Sequence, residues 1–137
     1  MGQPVPGDAQ RMEPGRRLIG SVGVMEVNLV FTGVPVKSLD AGRDFFERLF
    51  GRPAEVEVAV DEVMWRVAET AWLYVVVDVA RAGDGLVALS VADLDATLDE
   101  LARRGIRPDR MEEVGGGRKA IVLDPDGNTV AIIAVPS

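Results

Sequence analysis

The sequence predicts an α+β fold of two tandem βαβββ modules, whose strands form a curled mixed sheet around a shared cleft with the helices outside. Three observations carry this. The order strand, helix, three strands runs once from about residue 25 to 80 and again from about 85 to 135. The segment V-x-S-L-D-A at 36–41 returns 55 residues later as V-x-D-L-D-A at 91–96. The stretches LYVVV, AIVL and VAIIAV are almost continuously apolar, as expected of strands covered on both faces. One face would meet a helix and the other would line the cleft, because a single module leaves one sheet face bare.

The elements follow in order. Residues 1–24 are rich in Gly and Pro, lack periodicity and read as a flexible leader of net charge +1, with Met25 an alternative native start. Arg16-Arg17 before LIGSVGV faintly resembles a secretion signal. The apolar stretch is short, holds Gly20 and Gly23 and has no small-residue cleavage site, so a cytoplasmic protein is expected. Residues 25–137 form the folded domain. MEVNLVFTGV reads as a strand. A helix follows with Ser38 as N-cap, Ala41, Phe45 and Leu49 on one stripe, Phe46 paired with Phe50, and Gly51 at its end. AEVEVAV, EVMWRVAE and AWLYVVVDVA supply three strands. LVALSVA opens the second module, and DLDATLDELARRG is a helix capped by Asp93, ended by Gly105 and buried through Leu94, Leu98 and Leu101. DRMEEV, RKAIVL and NTVAIIAV complete it.

Composition restricts the chemistry. The chain of 137 residues has the length of one domain, and no run of about 18 apolar residues marks a membrane span. Cysteine and histidine are both absent, which removes disulfides, thiolate nucleophiles, the commonest metal ligand and the usual general base. A net charge of −7 argues against nucleic acid. The charge serves solubility more readily than cation steering.

Two hairpins set the expected faces. In Asp124-Pro125-Asp126-Gly127-Asn128, Pro125 presets a type I turn and Gly127 supplies the left-handed residue. The acids there serve the turn rather than catalysis. Pairing Asp124 with Asn128 puts Lys119, Ile121, Leu123, Thr129, Ala131 and Ile133 on one face. In the first module, a two-residue turn at Thr70-Ala71 would pair Glu69 with Trp72. It would gather Trp65, Trp72 and Tyr74 on the cleft face and leave Leu73, Val75 and Val77 for the helix.

The paired βαβββ units, the motif D-x-x-x-D-F-F-x-x-L-F-G and the D-P-D-G-N hairpin together resemble the vicinal-oxygen-chelate superfamily, which includes glyoxalase I, extradiol dioxygenases and bleomycin-resistance proteins. The resemblance covers residues 25–135. It implies that metalloenzyme members would carry ligands at positions matching Phe31, Tyr74, Leu86 and Ala131, and these four side chains do not suit Mg²⁺, Zn²⁺ or Fe²⁺. The reading is therefore a scaffold without metal and without cofactor. It is most similar in character to the bleomycin-resistance type, which sequesters a flat, often cationic antibiotic as a homodimer and underlies antibiotic resistance.

Three functions stay open. In a non-catalytic binder, Phe31, Trp65, Trp72 and Tyr74 would stack on a planar ligand. Leu86, Ile121 and Ala131 would shape the floor, and Lys119 or Glu69 would add polarity. A metal-independent lyase, isomerase or cyclase would use Tyr74 as acid and Lys119 or Glu69 as base. A structural or regulatory protein would have a collapsed cleft. Phe46, Phe50 or the strand edges are expected at a homodimer contact.

Overall fold

The computed structural model describes residues 23–135, so the expected leader lies almost wholly outside the described residues. Within them the chain forms β1 (Val30–Val36), α1 (Leu39–Phe50), β2 (Val56–Ala59), β3 (Glu62–Ala68) and β4 (Ala71–Val77). The second module follows as β5 (Leu86–Ser90), α2 (Leu94–Arg103), β6 (Arg110–Val114), β7 (Gly117–Leu123) and β8 (Thr129–Ala134). These are the two expected βαβββ units. The first strand begins at Val30 and not at Met25, because backbone pairing to β4 starts only at Val30 opposite Ala71.

Each module is a four-stranded mixed sheet, in the orders β1-β4-β3-β2 and β5-β8-β7-β6. In each sheet the edge pair, β1–β4 or β5–β8, is parallel and the other two pairs are antiparallel. The two sheets adjoin at β1 and β5.

Each helix starts where the sequence places a cap. The Ser38 hydroxyl accepts from the Ala41 N–H, and the Asp93 carboxylate accepts from the Ala96 N–H, satisfying donors that the first turn leaves free. Gly51, at φ 75°, closes α1 by donating to the Glu47 carbonyl. α1 buries Phe45, Phe46 and Leu49 against Val34, Val36, Leu73 and Val75, while α2 turns Leu94 and Leu101 onto Val87, Val130 and Ile132. One face of each sheet is thereby consumed as core, and the opposite face is free of helices.

Two connections tie the modules together. The ends of the helices exchange arginines: Arg104 donates to the Arg48 and Leu49 carbonyls, and Arg48 donates to the Arg104 carbonyl. These are the carbonyls that a helix C-terminus leaves without partners. The β7–β8 turn also reaches across to β1. Asn128 Nδ2 donates to the Pro35 carbonyl at 2.7 Å, and the Lys37 N–H donates to Asp126 at 3.1 Å.

That turn has the expected conformation. Gly127 sits at φ 91°, its N–H donates to the Asp124 carbonyl, and Asp124 N–H donates to the Asn128 carbonyl. The Asp124 carboxylate is buried and accepts from the N–H groups of Asp126 and Asn128 and from Asn128 Nδ2. The acids here are structural, and the register is the expected one: Val122 faces Val130, Ile121 faces Ala131 and Leu123 faces Thr129.

The β3–β4 hairpin differs from expectation. Ala68 faces Ala71 across a turn at Glu69-Thr70, and an irregularity between Arg66 and Ala68 puts Arg66 opposite Trp72 and Trp65 opposite Leu73. Because side chains alternate strictly along a strand, this register moves Glu62–Arg66 of β3 to the other face relative to β4. Arg66 holds the tight turn by donating to the Glu69 carbonyl. Trp65 therefore does not share a face with Trp72 and Tyr74. It is 0% exposed beneath α1, with its ring 6.2 Å from Phe46 and 5.7 Å from Phe50, and Nε1 donates to the Arg52 carbonyl at 2.9 Å. Its polar end thus finds a backbone partner just beyond α1. Phe46 is likewise 0% exposed, which removes it from any subunit contact.

Candidate ligand-binding site

With Trp65 assigned to the core, the remaining aromatic side chains of the helix-free face come from β1 and β4. Parallel pairing sets Phe31 beside Trp72 and Gly33 beside Tyr74. Alternation places Phe31, Gly33 and Pro35 on the face opposite Val34 and Val36, and Trp72 and Tyr74 on the face opposite Leu73 and Val75. Phe31 is 41% exposed, and Trp72 and Tyr74 are half-buried.

Gly33 is what lets Tyr74 lie as it does. A Cβ built at Gly33 would fall 2.4 Å from the Tyr74 Cζ and 2.6 Å from its hydroxyl oxygen, so the ring lies directly across the glycine backbone. The missing side chain is the seat for the ring. Met64 and Arg66, opposite Tyr74 and Trp72 on β3, continue this face outward.

The second module presents a different surface. Ala131 faces Ile121 on β7 and Ala88 on β5, and both Ile121 and Ala131 are buried. Leu86 is 78% exposed at the start of β5. Lys119, two residues from Ile121 on the same face, is already paired: its Nζ lies 3.5 Å from Glu112, which also accepts from Arg110 Nε at 2.8 Å. The hydrogen bond from Arg110 foremost, then Lys119, holds the Glu112 carboxyl below its ordinary range, and Glu112 and Asp109 raise Arg110. Lys119 thus belongs to a network of two cations and two anions, with Asp109 also paired to Arg110. Glu69 sits exposed in the β3–β4 turn.

The family resemblance implies Phe31, Tyr74, Leu86 and Ala131 as the metal-bearing positions of a chelating relative, and only the Tyr74 phenol among these side chains offers a donor atom. Tyr74 and Ala131 occupy matching places, each two residues beyond the partner of Phe31 or Leu86 on the neighbouring strand. Among the described residues, no group of three or more Asp, Glu, His or Cys is placed to hold an ion. The residues present do not fit a chelated divalent metal at this face.

A cavity of about 430 Å³ lies elsewhere, between the end of α1, the β3–β4 hairpin, β5 and α2. None of the residues expected at the site lines it. Sequence reading passed over this hollow because its lining of Ala, Val and Leu is indistinguishable from core.

The model of the Glyoxalase/Bleomycin resistance protein/Dioxygenase superfamily matches residues 28–132. No curated protein matches the chain. Among solved structures, a glyoxalase/bleomycin resistance protein from Catenulispora acidiphila DSM 44928 is 34% identical, with a TM-score of 0.75, over 81% of this chain and 100% of the other. TnmS3, an antibiotic-binding protein from Streptomyces sp. CB03234, shares the fold at 24% identity and a TM-score of 0.64, covering 85% of this chain and 99% of that one. A bleomycin-binding protein solved in complex with bleomycin shares it at 19% identity and a TM-score of 0.61, covering 82% and 100%.

Proposed function

Given that the chain belongs to the glyoxalase/bleomycin resistance protein/dioxygenase superfamily, we propose that it binds a planar small molecule on its helix-free face, with no metal and no chemical step. The observation that carries this reading is the side-by-side placement of Phe31, Trp72 and Tyr74, with Tyr74 laid across Gly33. Aromatic faces so arranged stack on flat ligands and attract cationic ones. Leu86, Ile121 and Ala131 form the apolar continuation, and the Lys119–Glu112–Arg110 network supplies polarity at the rim. Antibiotic-binding proteins that share this fold support a natural product or drug as the ligand class, and sequestration of such a compound is the resistance-type role proposed.

A homodimer accompanies this reading. The run leading into β1 exposes Val24, Met25, Val27, Leu29 and Val30, apolar surface that a second copy would cover. Sedimentation of the full chain should give twice the monomer mass, and a monomer at micromolar concentration would remove this part.

The chain has two tryptophans, one in the core and one on the proposed site, which makes emission a direct test. Titration with bleomycin and a panel of planar antibiotics should quench the Trp72 component and leave Trp65 unperturbed. The Trp72→Phe variant should lose the response. A panel that leaves emission unchanged would defeat the proposal.

A further inference from the structure

From the hollow between the modules, we infer a second binding site, for a neutral, largely hydrocarbon small molecule. The cavity of about 430 Å³ is walled by Phe50, Val67 and Ala68 from the first module and by Leu89, Leu101 and Ile132 from the second. Its size falls within the range of small-molecule sites.

The internal repeat explains why it is there. At the matching place on the other side of the Arg48–Arg104 exchange, the long β7–β8 turn contributes Leu123, Asp124 and Pro125 to the walls of a smaller hollow of about 250 Å³. The same turn sends Asn128 across to Pro35. The β3–β4 hairpin is its counterpart in the first module, and it turns on only Glu69 and Thr70. Its short turn leaves the hollow beside β5 larger.

The lining selects the ligand class. No Asp, Glu, Lys or Arg contributes to the wall, so an ion would enter without a partner, at high cost. Two hydroxyls reach the wall, Ser90 and Thr97. The Thr97 hydroxyl already donates to the Asp93 carbonyl at 2.8 Å. A neutral molecule with at most one or two hydrogen-bonding groups matches this inventory. The charged rim near Lys119 lies outside this lining, so the two sites would choose different molecules.

The test uses N-phenyl-1-naphthylamine, a neutral apolar fluorophore, with the full-length protein. Its emission should rise on binding. Ala68→Phe and Ser90→Phe, on opposite walls and at exposed positions, should each weaken that binding by about tenfold or more. Circular dichroism confirms that the variants fold. Absence of enhancement, or enhancement that neither variant alters, would overturn the site. If the variants instead convert a dimer to monomer without affecting the fluorophore, the hollow belongs to a subunit contact and the inference fails.

Discussion

The two hairpins that close the modules do opposite things with the same topology. The β7–β8 turn carries its own hydrogen-bonding groups, buries Asp124 and Asn128 and extends onto the other module. The β3–β4 turn is two residues long and is held from outside by Arg66 donating to the Glu69 carbonyl. The first hairpin spends its polar residues on joining the modules. The second leaves a cavity beside it, and its register decides which aromatic residues are available to a ligand. In a duplicated fold, function can be sited by how the copies differ at their turns as well as by which side chains line the sheets.

The largest expected effect follows from that register. Trp65→Ala removes a ring packed on Phe46 and Phe50 and should cost about 3–5 kcal/mol in denaturant unfolding, as for other large-to-small core changes. If Trp65 instead lay on the ligand face, the variant would keep its stability and lose binding. Asn128→Ala comes next. It strips acceptance from the Gly83 and Gly85 N–H groups and donation to Pro35 and Asp124, and a loss of about 3 kcal/mol is expected from leaving such buried groups unpaired. A loss below about 1 kcal/mol would show that the turn does not join the modules energetically.

Trp72→Ala should reverse the Trp65 pattern. Unfolding stability should move by about 1 kcal/mol or less, while affinity for a planar ligand should fall by about tenfold or more, a loss found by calorimetric titration. Gly33→Ala places a methyl where the Tyr74 ring now lies, so the ring must swing away and ligand affinity should drop with it. Unchanged affinity would mean that the seat of Tyr74 is irrelevant to binding. The smallest effect is expected at the short turn. Glu69→Ala keeps the carbonyl that Arg66 uses and should change stability by no more than about 0.5 kcal/mol.

The same contrast explains what the sequence revealed. Asp-Pro-Asp-Gly-Asn encodes its turn chemically, so the faces of β7 and β8, including Lys119, Ile121 and Ala131, could be read correctly. The helix caps Ser38 and Asp93 were legible for the same reason. Between Val67 and Trp72 no Gly, Pro or Asn marks the turn, and an irregularity between Arg66 and Ala68 has no local signature. Alternation within β4 still separated Trp72 and Tyr74 from Leu73 and Val75. It could not assign β3, which is why Trp65 was expected at the cleft and lies in the core. Contacts between modules, such as the Arg48–Arg104 exchange, join residues 56 apart in the chain and leave no pattern in either helix.

The most direct measurement is calorimetric titration of the full chain with a planar antibiotic such as bleomycin, before and after exhaustive chelation, beside the Trp72→Ala variant. Equal affinity for native and chelated protein, with marked weakening in the variant, is the predicted result. Binding that vanishes on chelation and returns with added metal, or that ignores the loss of Trp72, would contradict a site made of rings and aliphatic side chains.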